Sequence, residues 1–142
     1  MKTRSPAAFS LVELTFALGV AAFCLIAVFS LIPVGIQTNR NASSQTAATN
    51  IIASVIADMR ATTSSTSPQY GITFGTATTL YFDAAGQFTT SLAANSRYRA
   101  DITFPSAPSG LSYSDVNITW PAAAAPANAS GSVEMFAAFD RN

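Results

Sequence analysis

The first part of the chain is a long apolar segment with a single charge. Between Phe9 and Ile36 the only charged residue is Glu13, and the 23 residues from Leu14 to Ile36 carry none. A helix of that length rises roughly 35 Å, enough to cross a bilayer core of about 30 Å. The pattern therefore predicts a transmembrane helix over residues 9–36. Pro33 is expected to kink or loosen this helix, because proline removes one backbone donor.

Residues 37–61 are predicted to continue as an amphipathic helix. The opposite, polar face of this helix should carry Asn50, Ser54 and Asp58. Apolar residues recur at spacings of one, three and four, which places them on one face, and they are Ala48, Ile51, Ile52, Val55, Ile56 and Met59. We expect the helix to end near Arg60–Thr62, before a loop rich in serine and threonine. This second half should be the spine on which a sheet packs.

After Pro68 the apolar period changes to two, which is typical of strands. The residues from Asp83 to Gln87 are predicted to form a turn in which Gly86 takes a positive φ. The candidate strands are Tyr70–Phe74, Thr78–Asp83, Phe88–Ser91, Arg97–Phe104, Val116–Trp120 and Ser132–Phe139, with loops at Pro105–Gly110 and Ala122–Gly131. Together these patterns predict an α+β fold, in which a long N-terminal helix packs on a small antiparallel sheet over residues 62–142.

The composition agrees with a membrane-anchored protein that has a small external domain. Of its 142 residues 49% are hydrophobic and only 10% are charged, against about 25% charged in ordinary soluble domains. Lys2 and Arg4 precede the apolar segment, so the positive-inside rule places the N-terminus in the cytoplasm and the C-terminal domain outside. A secretory signal peptide is the alternative. It is disfavoured because the apolar segment is far longer than a signal core and no convincing A-x-A site follows it.

The ionisable residues predict neither an enzyme nor a metal site. The chain has no histidine, its one cysteine is Cys24 within the apolar segment, and its one lysine is Lys2. Nucleophilic catalysis would need a serine, threonine or cysteine beside a basic partner. Asp83, Asp101 and Asp115 could form a cluster of acids, and Asp83 or Asp115 could bind calcium, but each has a simpler role at a turn or on a solvent face. No cofactor is expected.

Nucleic-acid binding is also an unfavoured interpretation. The chain has seven basic and seven acidic residues, so it lacks the positive charge that phosphate contacts require. Arg97 and Arg99 share one face of a predicted strand and could contact DNA phosphates. A solvated strand face beside Asp101 is the favoured reading of the same residues.

The N-terminal residues carry a resemblance to a known family. The stretch Ala8-Phe9-Ser10-Leu11-Val12-Glu13 resembles the class III signal of type IV pilins and type II secretion pseudopilins. The resemblance implies that residues 1–8 are a basic leader, that a prepilin peptidase cuts between Ala8 and Phe9, and that the new amino terminus of Phe9 is N-methylated. Ala8 stands where the family usually has glycine. The family also implies the pilin fold and an inner-membrane assembly platform as a partner.

Glu13 has a predicted assembly role. It lies four residues from Phe9, one helical turn, and a carboxylate buried among apolar helices needs a cation. The family places that cation at the N-terminus of a neighbouring subunit, where the pair sets register in the filament. The alternative is a carboxylate solvated at the level of the lipid headgroups. Phe16, Phe23 and Phe29, spaced roughly every seven residues, are predicted to pack against like helices, or else to face lipid.

The sequence therefore predicts a structural subunit of a type IV pilus-like or type II secretion filament. A minor pilin or pseudopilin fits best, because the domain is small and lacks the cysteine pair that closes the C-terminal loop of many major pilins. Such a subunit is single-pass in the bacterial inner membrane before it joins other subunits in an extracytoplasmic filament. Two alternatives stay open: a pilin-like subunit with an adhesive or DNA-binding domain, and a signal-anchored periplasmic domain that never polymerises.

Overall fold

The computed structural model describes residues 10–105 and 111–140, and a single long helix dominates its first part. Helix α1 spans Leu11–Ala61 and runs through Pro33. Its end agrees with the predicted end near Arg60–Thr62. The chain divides into two compact units, Met1–Arg40 and Asn41–Asn142.

The second unit contains one antiparallel sheet of five strands. Strand β1 is Thr78–Phe82, β2 is Phe88–Thr89, β3 is Tyr98–Thr103, β4 is Leu111–Trp120 and β5 is Gly131–Asp140. Their spatial order is β2-β1-β3-β4-β5, and every neighbouring pair is antiparallel. A short 3-10 helix at Pro126–Asn128 lies between β4 and β5. The predicted α+β class and antiparallel sheet are therefore confirmed.

The core lies between the second half of α1 and one face of the sheet. All six apolar helix residues predicted to face the sheet are buried, from Ala48 to Met59. The sheet contributes alternate residues from four strands: Leu80, Phe82, Tyr98, Ala100, Ile102, Val116, Ile118, Ala137 and Phe139. Full burial of one large aliphatic or aromatic side chain contributes about 1.5–3 kcal/mol, so this shared core holds the helix on the sheet.

The predicted strand at Tyr70–Phe74 is wrong. The backbone turns twice there, with Gly71 at φ 67° and Gly75 at φ 83°, and its ladder contact is a single bridge from Thr66 to Thr73. The alternation of apolar residues was real, since Tyr70 and Ile72 are both buried. They reach the core from a folded loop because positive φ at the two glycines reverses the chain.

Other strand boundaries differ by smaller amounts. The predicted Thr78–Asp83 and Arg97–Phe104 strands match β1 and β3 to within one residue at each end. Strand β4 begins at Leu111, five residues before the predicted start, while β2 ends at Thr89 rather than Ser91. Gly86 has φ 80°, which confirms the predicted turn. Most of the predicted loop at Pro105–Gly110 lies outside the described residues.

Asp58 was predicted to lie on the polar face of the helix, opposite the apolar stripe, and the structure corrects this prediction. Its carboxylate is buried and accepts hydrogen bonds from the backbone N–H groups of Gln69 and Tyr70, at 3.1 and 3.0 Å. The Tyr70 hydroxyl is 3.0 Å from the Ser54 hydroxyl on the same helix. The polar side of α1 is thus covered by the loop that replaces the predicted strand.

Candidate membrane and assembly site

The N-terminal part of α1 presents apolar side chains to its surroundings along its whole length. Every described residue from Ser10 to Ser43 is exposed, and the exposed fraction of the large apolar side chains runs from 48% at Ile32 to 79% at Leu11. Monomeric soluble proteins rarely expose apolar patches above a few hundred Å². Helix α1 is also the one helix of the described residues that is long and apolar enough to cross a membrane. An exposed apolar surface of this length is typical of a helix that lies in lipid or packs against other protein.

Three hydroxyl side chains of this part of α1 donate hydrogen bonds to carbonyl oxygens of the same helix. Thr15 donates to the Val12 carbonyl oxygen at 2.9 Å, and Ser30 donates to the Ala27 carbonyl oxygen at 2.7 Å. Thr38 does the same to Val34, at 2.9 Å. In a bilayer an unsatisfied polar group is costly, and bonding back to the preceding turn removes that cost. The hydroxyls are therefore compatible with a lipid-facing or helix-packed surface.

Glu13 lies in the first turn of α1 and is exposed. The helix dipole favours a negative charge there by about 0.3–1 kcal/mol. Among the described residues the one salt bridge joins Arg99 to Asp101, so Glu13 has no cationic partner within that part of the chain. Its predicted partner, a neighbouring subunit's N-terminus, stays a prediction. Ala8 and Phe9, the predicted cleavage site, lie outside the described residues.

The three phenylalanines assigned to helix packing are all exposed, by 75% at Phe16, 74% at Phe23 and 64% at Phe29. Successive residues of an α-helix are about 100° apart. Phe16 and Phe23 therefore lie within about 20° of each other, whereas Phe29 lies about 120° from Phe23. Phe16 and Phe23 belong to one stripe and Phe29 to a second face. A packing role for each of them stays a prediction. Cys24 is exposed in the same segment.

Of the three acidic candidates, Asp101 and Asp115 are diagonal neighbours on β3 and β4, because Asp101 pairs with Asn117 and Thr103 with Asp115, whereas Asp83 lies in the β1–β2 turn. Asp83 accepts hydrogen bonds from the Ala85 and Gln87 backbone N–H groups, both at 2.9 Å, and so closes its own turn. The Asp101 carboxylate is 2.9 Å from Arg99 Nε and accepts a hydrogen bond from the Thr79 hydroxyl. Within the described residues no three histidine, cysteine, aspartate or glutamate side chains are placed to hold a metal ion.

The two arginines weighed for nucleic-acid contact are engaged within the domain. Arg99 is held by Asp101, as described above, and the side chains of Arg99 and Asp101 are both half-buried. Arg97 donates from Nη2 to the Ser44 hydroxyl on α1 at 3.2 Å, and its guanidinium carbon is 5.9 Å from the centre of the Tyr98 ring. Arg97 and Arg99 therefore both make contacts with other side chains of the domain.

A pair of carboxyl groups lies on the sheet face that points away from α1, and sequence reasoning missed it. In the β4–β5 register Asn117 is opposite Glu134 and Asp115 is opposite Phe136, so Asp115 and Glu134 are diagonal neighbours. A hydrogen bond between the two carboxyl groups, and then repulsion by the Asp115 charge, raise the pKa of Glu134 above its ordinary value. Only the strand register reveals this pair, because 18 residues separate its members along the chain.

Comparison with protein-family models, curated proteins and solved structures finds no match for this chain. The features that distinguish it are an exposed apolar helix, one carboxylate at the start of that helix, and a compact α+β unit built on the second half of the same helix.

Proposed function

We propose that the protein is a structural subunit of a type IV pilus-like or type II secretion filament, of the minor pilin or pseudopilin kind. It is anchored in the inner membrane by α1, with the N-terminus in the cytoplasm and the sheet domain in the periplasm. Its partners are a prepilin peptidase, the lipid bilayer, an inner-membrane assembly platform and other pilin-like subunits. The domain's role is structural rather than catalytic.

The observation that carries this proposal is the exposed apolar surface of α1 from Leu11 to Ile36. A protein that only needed an anchor would be served by any apolar helix of sufficient length. This helix also carries Glu13 at its start, as the last residue of the motif that resembles a prepilin signal. A carboxylate inside the membrane is costly and invites a functional explanation.

Packing of subunits in a filament gives Glu13 a partner. Cleavage before Phe9 would create an α-amine at the start of the mature helix, and that amine is a cation. When helices from several copies pack together, the amine of one copy can pair with the Glu13 carboxylate of another, so that neither charge is buried alone. The chemistry needs no side chain beyond this carboxylate and the new terminus.

The test replaces Glu13 in the full chain, expressed in a host that carries the assembly machine. We expect Glu13→Val to insert into the membrane as well as the wild type, and to enter sheared filaments at least tenfold less, since breaking a buried ion pair costs about 3–5 kcal/mol. The matched control is the double variant Val12→Glu, Glu13→Val. It keeps the composition but moves the carboxylate by about 100° around the helix, and it should also fail to assemble.

Filament incorporation of Glu13→Val at the wild-type level would refute the pairing role of this residue. Absence of the wild-type chain from filaments, together with a normal membrane level, would instead support the alternative of an anchored periplasmic domain that does not polymerise.

A further inference from the structure

Strand β5 is an edge strand without the usual protection against pairing. It lies at one end of the sheet order and spans ten residues, Gly131–Asp140. Its register with β4 is unbroken from Leu111 opposite Asp140 to Trp120 opposite Gly131, so it contains no bulge. It contains no proline, lysine or arginine, and its charged residues are Glu134 and Asp140. Natural edge strands are usually short, bulged or blocked by lysine or proline.

The two edges of the sheet differ in length. Strand β2, which closes that edge, is only two residues long, Phe88–Thr89. A short edge strand offers few unpaired backbone groups. The β5 edge is five times longer and presents a row of N–H and C=O groups that β4 does not use.

An apolar groove of about 530 Å³ runs between α1 and β5. Its walls include Thr49, Ala53, Ala57 and Arg60 on α1, and Met135 and Phe136 on β5. The helix side of the groove is formed by small side chains. Thr49, Ala53 and Ala57 recur every four positions and therefore lie in one row along α1. The Thr49 hydroxyl is occupied by the Gln45 carbonyl oxygen at 2.9 Å. Met135 is 40% exposed at the groove, although it projects from the face of the sheet that packs on α1.

The dimensions of the groove fit an extended chain. Thr49 and Arg60 are separated by about 16 Å along the helix axis, at 1.5 Å a residue. An extended strand of about five residues covers the same length. An α-helix, about 10 Å across, would cover the groove but leave the β5 backbone groups unpaired.

The positive charge of Arg60 at one end of the groove indicates which side chain a bound peptide strand should carry there. Arg60 is exposed at the last turn of α1 and makes no salt bridge with any side chain that the structure describes, a set that excludes the side chain of Asp140. Arg97 contacts Ser44 on α1 and accepts a hydrogen bond from Ala122, close to the start of β5. The C-terminal end of β5 and Arg60 therefore lie toward the same end of the groove. A carboxylate on the occupant would meet Arg60 there.

We propose that the β5 edge and this groove bind an extended peptide strand of another protein by β-strand addition. The occupant pairs its backbone with β5, places alternate small apolar side chains between Ala53, Ala57 and Met135, and sets a carboxylate beside Arg60. Backbone pairing supplies affinity in this mode, and the pockets for alternate side chains supply specificity. The site lies wholly within the α+β unit, so it does not depend on the filament proposal.

The test uses the full chain in zwitterionic detergent micelles and fluorescent seven-residue peptides. The probe alternates valine and threonine and has aspartate at both ends, with an amidated C-terminus, so that either strand direction brings a carboxylate to Arg60. One control peptide has lysine at both ends. A second has proline in place of the central residue, which removes a ladder donor. Anisotropy titrations measure the affinity of each peptide.

Three protein variants test the contribution of the groove and that of the Arg60 charge separately. Ala57→Trp fills the groove and should weaken binding of the aspartate peptide at least tenfold. Ala123→Trp places the same residue at an exposed alanine of the β4–β5 loop, and should leave binding unchanged. Arg60→Glu should lower affinity for the aspartate peptide and raise it for the lysine peptide, each roughly two- to fivefold, the usual strength of an exposed ion pair.

Three results would overturn the proposal. The first is no saturable binding of the aspartate peptide, and the second is equal binding of the aspartate and proline peptides. The third comes from sedimentation without peptide: a concentration-dependent dimer that Ala57→Trp abolishes would show that a second copy of the chain fills the groove. Amide hydrogen exchange gives the result that supports the proposal. The aspartate peptide should slow exchange of the β5 amides in the wild type but not in Ala57→Trp.

Discussion

The buried carboxylate of Asp58 accepts a hydrogen bond from the backbone N–H of Tyr70 at 3.0 Å, and its other oxygen accepts one from Gln69 at 3.1 Å. These two bonds tie the loop after α1 to the helix itself. Tyr70 then packs edge-on against Phe82 and Phe88, with ring centres 5.7 and 5.0 Å apart. One carboxylate therefore positions an aromatic cluster that closes the β1–β2 end of the core.

Asp58→Ala should destabilise the domain by about 3 kcal/mol, because hydrogen bonds to charged groups contribute about 1.5–3 kcal/mol each and the Tyr70 N–H is buried. Urea unfolding of the full chain in micelles, followed by the fluorescence of Trp120, measures the loss. The matched control is Asp83→Ala, which also removes two backbone hydrogen bonds. Those bonds are exposed, so water can replace them and the loss should stay below about 1 kcal/mol. Equal losses for the two variants would contradict this role of Asp58.

Gly131→Ala should destabilise the domain through the indole ring of Trp120. A Cβ at this position would lie 2.6 Å from Trp120 Cε2 and 3.0 Å from Nε1, so the ring must move. Trp120 packs edge-on against the buried Tyr98, with ring centres 6.2 Å apart. Overpacking of this kind costs about 1–3 kcal/mol.

Two measurements check the Gly131 prediction. Thermal unfolding should show a lower midpoint for Gly131→Ala and little change for Ser132→Ala, the exposed neighbour on the same strand. The Trp120 emission spectrum of the folded variant should shift, since the ring is displaced. An unchanged midpoint together with an unchanged spectrum would show that Trp120 does not lie over Gly131.

The Asp115–Glu134 pair predicts a pH dependence of stability. Because the pKa of Glu134 is raised in the folded state, the folded chain binds its proton more tightly than the unfolded chain. The stabilisation is complete below the ordinary pKa of glutamate and is lost as pH rises through the raised value. Glu134→Gln removes the titration, so it should raise the unfolding midpoint near about pH 8 and leave it nearly unchanged near about pH 4. A difference between variant and wild type that stays constant with pH would rule out this coupling.

The helix and its buried stripe were predictable from sequence because both depend on local period. The spacing of Ile52, Val55 and Met59 fixes one helix face, and all three are buried. The role of Asp58 was not predictable, since its partners lie 11 and 12 residues further along the chain. At about 100° a residue, Asp58 lies only about 20° from Ile51, at the border of the buried stripe, but this spacing could not show that a loop would fold over it.

The strand predicted at Tyr70–Phe74 was wrong because the alternation of apolar residues there is not caused by pairing between strands. Tyr70 and Ile72 alternate because both reach the core from a loop shaped by Gly71 and Gly75. The first half of β4 was missed for the opposite reason, since Ser112 and Ser114 break the apolar pattern although both are paired with β5. The Asp115–Glu134 pair and the groove beside β5 depend on register and strand order, which a single sequence does not specify.

The mass of the N-terminal peptide tests the central claim most directly. The full chain would be purified from membranes of a host with its prepilin peptidase, digested, and measured by tandem mass spectrometry. A filament subunit requires an N-terminal peptide that begins at N-methylated Phe9, and Ala8→Gly should give the same terminus in at least equal yield. A peptide that begins at Met1, or a cut at any other bond in the first 40 residues, would contradict the account.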